Sequence, residues 1–247
     1  MSEAAAPPGP KDRLFVALDV ERLDEADALL DRLAGEVGGC KIGNQLFTAA
    51  GPVAVEHALK RGFRVFLDLK YHDIPNTVAG AVREATRLGV FVLNVHASGG
   101  AAMLRGAAEA AARAAKDFAV TRPLVIGVTV LTSLDRRALE TEVGVTGTVE
   151  AHVLRLAEHA RAAGLDGCVA SPREIRLLRN ALGRAWVIVT PGIRPADRAD
   201  DQVRTATPAA AIAAGADYLV VGRPITAVPD PVAAARAIVK EIEAAVH

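Results

Sequence analysis

Short apolar runs alternate with longer helical segments along this chain, and that alternation narrows the architecture to a parallel sheet covered by helices. Strand-like runs fall at residues 14–19, 40–43, 64–69, 90–95, 124–129, 167–169, 186–190 and 218–221. Between them lie segments such as 24–33, 53–60, 101–115, 149–162 and 232–245, whose Ala, Leu, Glu and Arg residues follow helical spacing. Pro75 suits a first helical turn, Asn44 and Ser98 can cap helices, and Gly62, Gly89, Gly164 and Gly215 sit where helices should end. Eight such repeats in about 235 residues imply a closed (β/α)8 barrel. A doubly wound open sheet is the alternative. It is disfavoured because the first turn, Leu18-Asp19-Val20-Glu21, lacks the glycine fingerprint of dinucleotide folds.

With 247 residues, 51% of them hydrophobic, the chain suits one barrel-sized domain, expected over residues 14–247. Residues 1–13 are rich in Ala and Pro, without the basic start or apolar block of a secretory signal, and read as a disordered tail. Lys plus Arg equals Asp plus Glu at 29 each, so no nucleic-acid footprint is expected. Aromatic residues at 4% are too sparse for base-stacking platforms. No window approaches the roughly 18 apolar residues of a membrane span, so a soluble protein with no membrane partner is expected. Cys40 and Cys168 stand far apart in apolar runs and read as reduced, buried thiols of a cytoplasmic protein.

Barrels of this type carry their chemistry at the C-terminal ends of the strands. Here those ends are polar: Asp19; Lys41 with Gly43 and Asn44; Asp68 with Lys70; Asn94 with His96; Thr129 with Thr132 and Ser133; Ser171; Thr190 to Arg194; Gly222 with Arg223. The richest is Asp68-Leu69-Lys70-Tyr71-His72-Asp73. Side chains two apart in a strand share a face, so Asp68 and Lys70 should project together from positions about 6.6 Å apart, with Asp73 past the strand end. A lysine between carboxylates stays protonated, which makes Lys70 a proton donor and not a Schiff-base nucleophile. A structural ion-pair network is the competing interpretation. No histidine pair with metal-ligand spacing occurs, and His96 stands alone, so no metal is expected.

After strands seven and eight come Thr190-Pro191-Gly192-Ile193-Arg194 and Gly222-Arg223-Pro224-Ile225, the loops that most often hold a phosphate in such barrels. Each pairs a glycine, whose backbone can approach an oxygen closely, with an arginine, whose planar fork matches two phosphate oxygens. The polar connection 191–206 is long enough for a lid, from which Gln202 can reach across a bound ligand.

Taken in order, Phe15-Val16-Ala17-Leu18-Asp19, Lys41-Ile42-Gly43, Asp68 to Thr77, Asn94-Val95-His96-Ala97-Ser98-Gly99-Gly100, Val130-Leu131-Thr132-Ser133, Thr190 to Arg194, Asp201-Gln202 and Val221 to Ile225 resemble the orotidine 5'-phosphate decarboxylase family from Leu14 to Ala227. Gln45, where many members carry an acid, departs from the pattern at a helix start. The resemblance implies cofactor-independent decarboxylation of orotidine 5'-monophosphate to UMP in pyrimidine synthesis. It implies that Asp19 and Lys41 hold the ribose hydroxyls, with Lys41 also in the charge array. Asp68 is the implied catalytic carboxylate and Lys70 the general acid. Asp73 and Thr77 are implied to cross a homodimer interface into the neighbouring site. Thr132, preferred over Ser133, contacts the pyrimidine, and Pro191, Arg194, Gln202, Gly222 and Arg223 serve the phosphate and lid. A related sugar-phosphate enzyme using a metal-stabilised enediolate, such as a 3-keto-gulonate-phosphate decarboxylase or hexulose-phosphate synthase, is the nearest rival. A noncatalytic nucleotide-phosphate sensor is the other.

Overall fold

A computed structural model describes residues 8–195 and 205–246. Among these residues eight parallel strands close into a barrel in sequence order: β1 (Leu14–Ala17), β2 (Gly39–Gly43), β3 (Arg64–Tyr71), β4 (Val92–His96), β5 (Leu124–Val128), β6 (Gly167–Val169), β7 (Val187–Thr190) and β8 (Tyr218–Val221). Pairing of β1 with β8, Leu14 opposite Leu219, completes the ring and leaves no open edge. The (β/α)8 expectation holds.

Helices cover the outside: α1 (Leu23–Leu33), α2 (Asn44–Ala50), α3 (Pro52–Lys60), α4 (Pro75–Arg87), α5 (Gly100–Asp117), α6 (Arg136–Thr141), α7 (Val149–Ala162), α8 (Ile175–Leu182), α9 (Pro208–Ala214), α10 (Arg223–Thr226) and α11 (Pro231–Ala245). Gly62, Gly89, Gly164 and Gly215 adopt positive φ just beyond α3, α4, α7 and α9, the conformation that lets a helix stop sharply. Asn44 and Ser98 do not cap. Gly43, extended at φ −94°, holds the cap position of α2 and Asn44 is its first residue, while Ser98 lies within a 3-10 turn. Side-chain caps come instead from Asp135, Thr148, Thr207 and Asp230.

Strand residues alternate between two apolar clusters, as a period of two demands. Phe15, Ala17, Phe66, Val92, Ile126 and Val189 belong to the barrel interior. Leu14, Val16, Cys40, Leu67 and Leu93 belong to the larger core between barrel and helices. Both faces of each strand are therefore covered, which is why the runs read as continuous apolar stretches. Burial pushes the thiols of Cys40 and Cys168 up to about 12, so both stay protonated at neutral pH.

At the N-terminal end of the barrel, the Arg64 guanidinium lies 4.6 Å from the Phe91 ring centroid, 5.5 Å from Phe15 and 5.9 Å from Tyr218. It also donates to the carbonyls of Gly38 and Asp12. A cation over three aromatic faces closes the bottom of the barrel and leaves the opposite end open. The same contact bears on the expected tail. Its last residues, Lys11–Arg13, form a 3-10 turn anchored through the Asp12 carbonyl to Arg64, so order begins before Leu14. No helix among the described residues is long and apolar enough to cross a membrane.

Candidate active site

The strand ends bring four charges into one line. Lys41 Nζ lies 2.9 Å from Asp19 Oδ1 and 3.5 Å from Asp68 Oδ2, and Lys70 Nζ lies 2.7 Å from Asp68 Oδ1. The order is Asp19, Lys41, Asp68, Lys70, with alternating sign. Lys41 and Asp68 are buried, at 9% and 8% exposure, where a lone charge is costly and a paired one is tolerated. Glycine makes room for this array at β2: a side chain on Gly43 would place its Cβ 2.9 Å from Lys41 Nζ.

Asp68 and Lys70 do meet, but not by simple alternation. β3 pairs with β4 in register at Phe66 and Leu67, then resumes at Tyr71 opposite Val95, so Asp68, Leu69 and Lys70 span the interval that Asn94 alone spans on β4. The extra length is absorbed at Lys70, whose backbone is left-handed at φ 52°. For a side chain with a Cβ that conformation costs about 1–2 kcal/mol. The bulge carries β3 on to Tyr71, two residues beyond its expected end at Leu69, and turns the lysine back on Asp68.

Asp73 does not join the array within this chain. Its carboxylate accepts the Ile74 N–H at 2.6 Å on an exposed surface, and Thr77, one turn into α4, is exposed as well. Among the described residues Lys70 therefore has one carboxylate partner, Asp68, and not the two that the sequence suggests.

Two chambers adjoin this line of charge. One, of about 180 Å³, is bounded by Asp68, Lys70 and Thr132 against apolar walls that include Phe66, Val128 and Val169. Ser133 is exposed and absent from that lining, so Thr132 is the better placed of the two hydroxyls. The other, of about 220 Å³, is bounded by Asp19, Gly192, Arg194, Gly222 and Arg223. Lys41, Pro191 and Val220 line both, which makes the chambers neighbours. One side is apolar with a charged end, and the other carries two guanidinium groups beside glycine backbone. An isoleucine–alanine bridge, Ile193 to Ala206, ties the ends of the long connection after β7, with Arg194 N donating to Ala206 O at 3.0 Å. Gln202 lies outside the described residues.

Some neighbours of the array, visible in the sequence as polar residues without an assigned role, have definite partners. Asn94, fully buried, donates from Nδ2 to Asp68 Oδ1 at 2.7 Å and accepts the Lys70 N–H at 2.8 Å. In the sequence Asn94 stands out as a polar end to the apolar run of β4, which does not indicate these partners. Ser171 donates to the buried carboxylate of Glu174 beyond β6, a pair foreshadowed only by the polar residue at that strand end. His96 packs its ring 5.3 Å from that of His72. Burial, followed by His72 and Lys70, holds the His96 imidazole below its ordinary range despite the opposing pull of Asp68, which favours the neutral ring. Among the described residues, no group of three or more His, Cys, Asp or Glu is arranged to hold a metal ion.

Comparison with known proteins gives the family and agrees with the fold. Residues 12–238 match the family described as Orotidine 5'-phosphate decarboxylase / HUMPS family. Orotidine 5'-phosphate decarboxylase of Moorella thermoacetica is 60% identical over 235 residues, covering 94% of this chain and 93% of that one. The protein of the same name from Halorhodospira halophila is 56% identical over 239 residues, covering 96% and 98%. Among solved structures, orotidine 5'-phosphate decarboxylase from Lactobacillus acidophilus superposes with a TM-score of 0.83 at 36% identity, covering 93% of this chain and 98% of that one. The relatives' names are those of carboxy-lyases, and the chain belongs to the orotidine 5'-phosphate decarboxylase / HUMPS family.

Proposed function

We propose that this protein decarboxylates orotidine 5'-monophosphate to UMP, with Asp68 facing the departing carboxylate and Lys70 delivering the proton to C6. The observation that carries this reading is the alternating array, buried at Lys41 and Asp68 and with Lys70 Nζ 2.7 Å from Asp68 Oδ1, beside an apolar chamber and a guanidinium-lined one. The substrate has the matching order of parts. Its phosphate fits the chamber of Arg194, Gly222 and Arg223, with Pro191 at the wall, and Gln202 is assigned to the same end of the substrate on the family resemblance. Asp19 and Lys41 take the ribose hydroxyls, and Thr132 meets the pyrimidine.

Breaking the bond from C6 to the carboxylate carbon releases CO2 and leaves the electron pair on C6 in the ring plane. No ring orbital takes up that charge, so fixed charges around it must. Two anions about 4 Å apart at an effective dielectric near 20 repel by roughly 4 kcal/mol, and departure of CO2 relieves that repulsion. The Lys70 ammonium then gives its proton to C6, and the amine regains one from water. The largest typical enzymatic barrier reductions are about 23 kcal/mol, so one contact cannot suffice. Affinity for the nonreacting phosphate supplies the remainder by holding the carboxylate against Asp68.

The same reading assigns Asp73 and Thr77 to the site of a second copy in a homodimer. Their exposure supports it, as does Ile74 between them, an isoleucine left 67% exposed at the start of α4. Buried cysteines held as thiols agree with a cytoplasmic setting. Mixing protein with orotidine 5'-monophosphate and following the ultraviolet spectrum tests the activity: conversion to the UMP spectrum is expected, and an unchanged spectrum points to a protein that only binds.

Arg223→Ala should lower kcat/KM by about 100-fold, the scale of a lost charge-assisted contact of about 3 kcal/mol, and leave the fold intact. Unaltered kcat/KM would remove Arg223 from the phosphate contacts. Activity should also survive EDTA, because the Asp19 and Asp68 carboxylates are already engaged by ammonium groups that a divalent ion would have to displace. Loss of activity in EDTA, restored by Mg2+, would favour the enediolate chemistry of the sugar-phosphate rival instead.

A further inference from the structure

We infer that Asn94 is a positioning residue, one buried amide that sets both the proton donor and the carboxylate facing the leaving group. The inference rests on the roles proposed above for Lys70 and Asp68. At the bulge, β3 loses its regular pairing with β4, and the Lys70 N–H has no ladder carbonyl to meet. Asn94 Oδ1 stands in for that carbonyl at 2.8 Å, holding the backbone at the point where φ is 52°. Its Nδ2 donates to Asp68 Oδ1 at 2.7 Å, the oxygen that also receives Lys70 Nζ. The orientation of the amide is forced, since a backbone N–H only donates and a carboxylate only accepts.

Asparagine is specifically suited to this place. Leucine has a similar shape and meets neither partner. Aspartate keeps the acceptor for the Lys70 N–H but, when ionised, sets a second anion against Asp68. The groups that face this point include Asp68 and Lys70 on β3, Lys41 on β2 with Asp19 beyond it, and His96 two residues along β4, itself packed on His72. The β5 residue paired with Asn94 is Ile126, which does not titrate. With both lysines already committed to Asp68, the added carboxylate in Asn94→Asp shares a proton with it as pH falls. That shared proton restores a donor toward Asp68.

The test uses the full chain and the Asn94→Leu and Asn94→Asp variants. Asn94→Leu should lower kcat on the order of 100-fold, the cost of a displacement near 1 Å at the reacting groups, while affinity for UMP changes little. For Asn94→Asp, the ratio of its kcat to that of the unmodified protein should climb as pH moves from alkaline to mildly acidic. Hydrogen exchange at the Lys70 backbone N–H, measured without substrate, should accelerate in Asn94→Leu. A kcat retained in Asn94→Leu overturns the inference, and so does a kcat loss matched by an equal loss of UMP affinity. A pH-independent ratio for Asn94→Asp overturns it even where the leucine variant does not fold. Should the unmodified protein leave orotidine 5'-monophosphate intact, the decarboxylase reading fails, and the exchange measurement still decides whether Asn94 holds Lys70.

Discussion

Lys70→Ala should cost about 10⁴-fold in kcat, the upper range for removal of a general acid, and leave UMP affinity close to that of the unmodified protein. The separation of the two effects follows from geometry. Lys70 lines the apolar chamber at the end of the charge array and does not line the guanidinium chamber, where Gly222, Arg194 and Arg223 gather. Removing its ammonium takes away both the cation beside the forming carbanion and the proton that quenches it. The fold should tolerate the change. Lys70 is partly exposed, occupies a backbone conformation that alanine adopts as reluctantly as lysine does, and leaves Asp68 with Lys41 at 3.5 Å, so the variant should fold, with a thermal midpoint lowered by the loss of the nearest cation to Asp68. Near-normal decarboxylation by this variant would remove Lys70 as the proton donor, whatever the behaviour of the rest of the site.

Asp68→Asn should produce a different signature. The substitution keeps the shape and removes the charge that the substrate carboxylate is held against. Repulsion of roughly 4 kcal/mol corresponds to about 1000-fold in rate, so kcat should fall on that scale. KM should fall as well or stay level, because ground-state crowding disappears with the charge. Measuring kcat and KM separately is therefore the decisive experiment. A raised KM with unchanged kcat would mean that Asp68 serves binding alone. Some loss of stability is expected too: Lys41 keeps Asp19 at 2.9 Å, whereas Lys70 loses the carboxylate it pairs with at 2.7 Å.

The barrel was legible because its cause is repetitive. Every strand must be apolar on both faces and every helix on one, so the alternation of runs states the architecture many times over. The site was legible where a single strand end carried charge that a buried sheet does not tolerate without a reason, as at Asp19, Lys41 and Asp68. What stayed hidden depended on backbone detail. Alternation predicts that Asp68 and Lys70 share a face, and they do meet, yet through a bulge and a left-handed lysine that no residue pattern announces. Asn94 was visible as a polar residue, but its function depends on pairing that is broken only in three dimensions. Asp73 reads as a third member of the cluster because it lies three residues past Lys70, while the start of α4 turns it to the surface. Arg64, at the first position of β3, looks like an ordinary solvated charge until Phe15, Phe91 and Tyr218 converge around it from three strands or their approaches.

Decarboxylation of orotidine 5'-monophosphate in deuterium oxide, read by proton NMR of the product, is the most direct trial of the central claim that charge from C6 is released in this site and met there by an acid. One deuterium at C6 of UMP, with the sugar hydrogens untouched and one equivalent of CO2 released, is the predicted result. Unconverted substrate, or exchange confined to a sugar carbon, would contradict it.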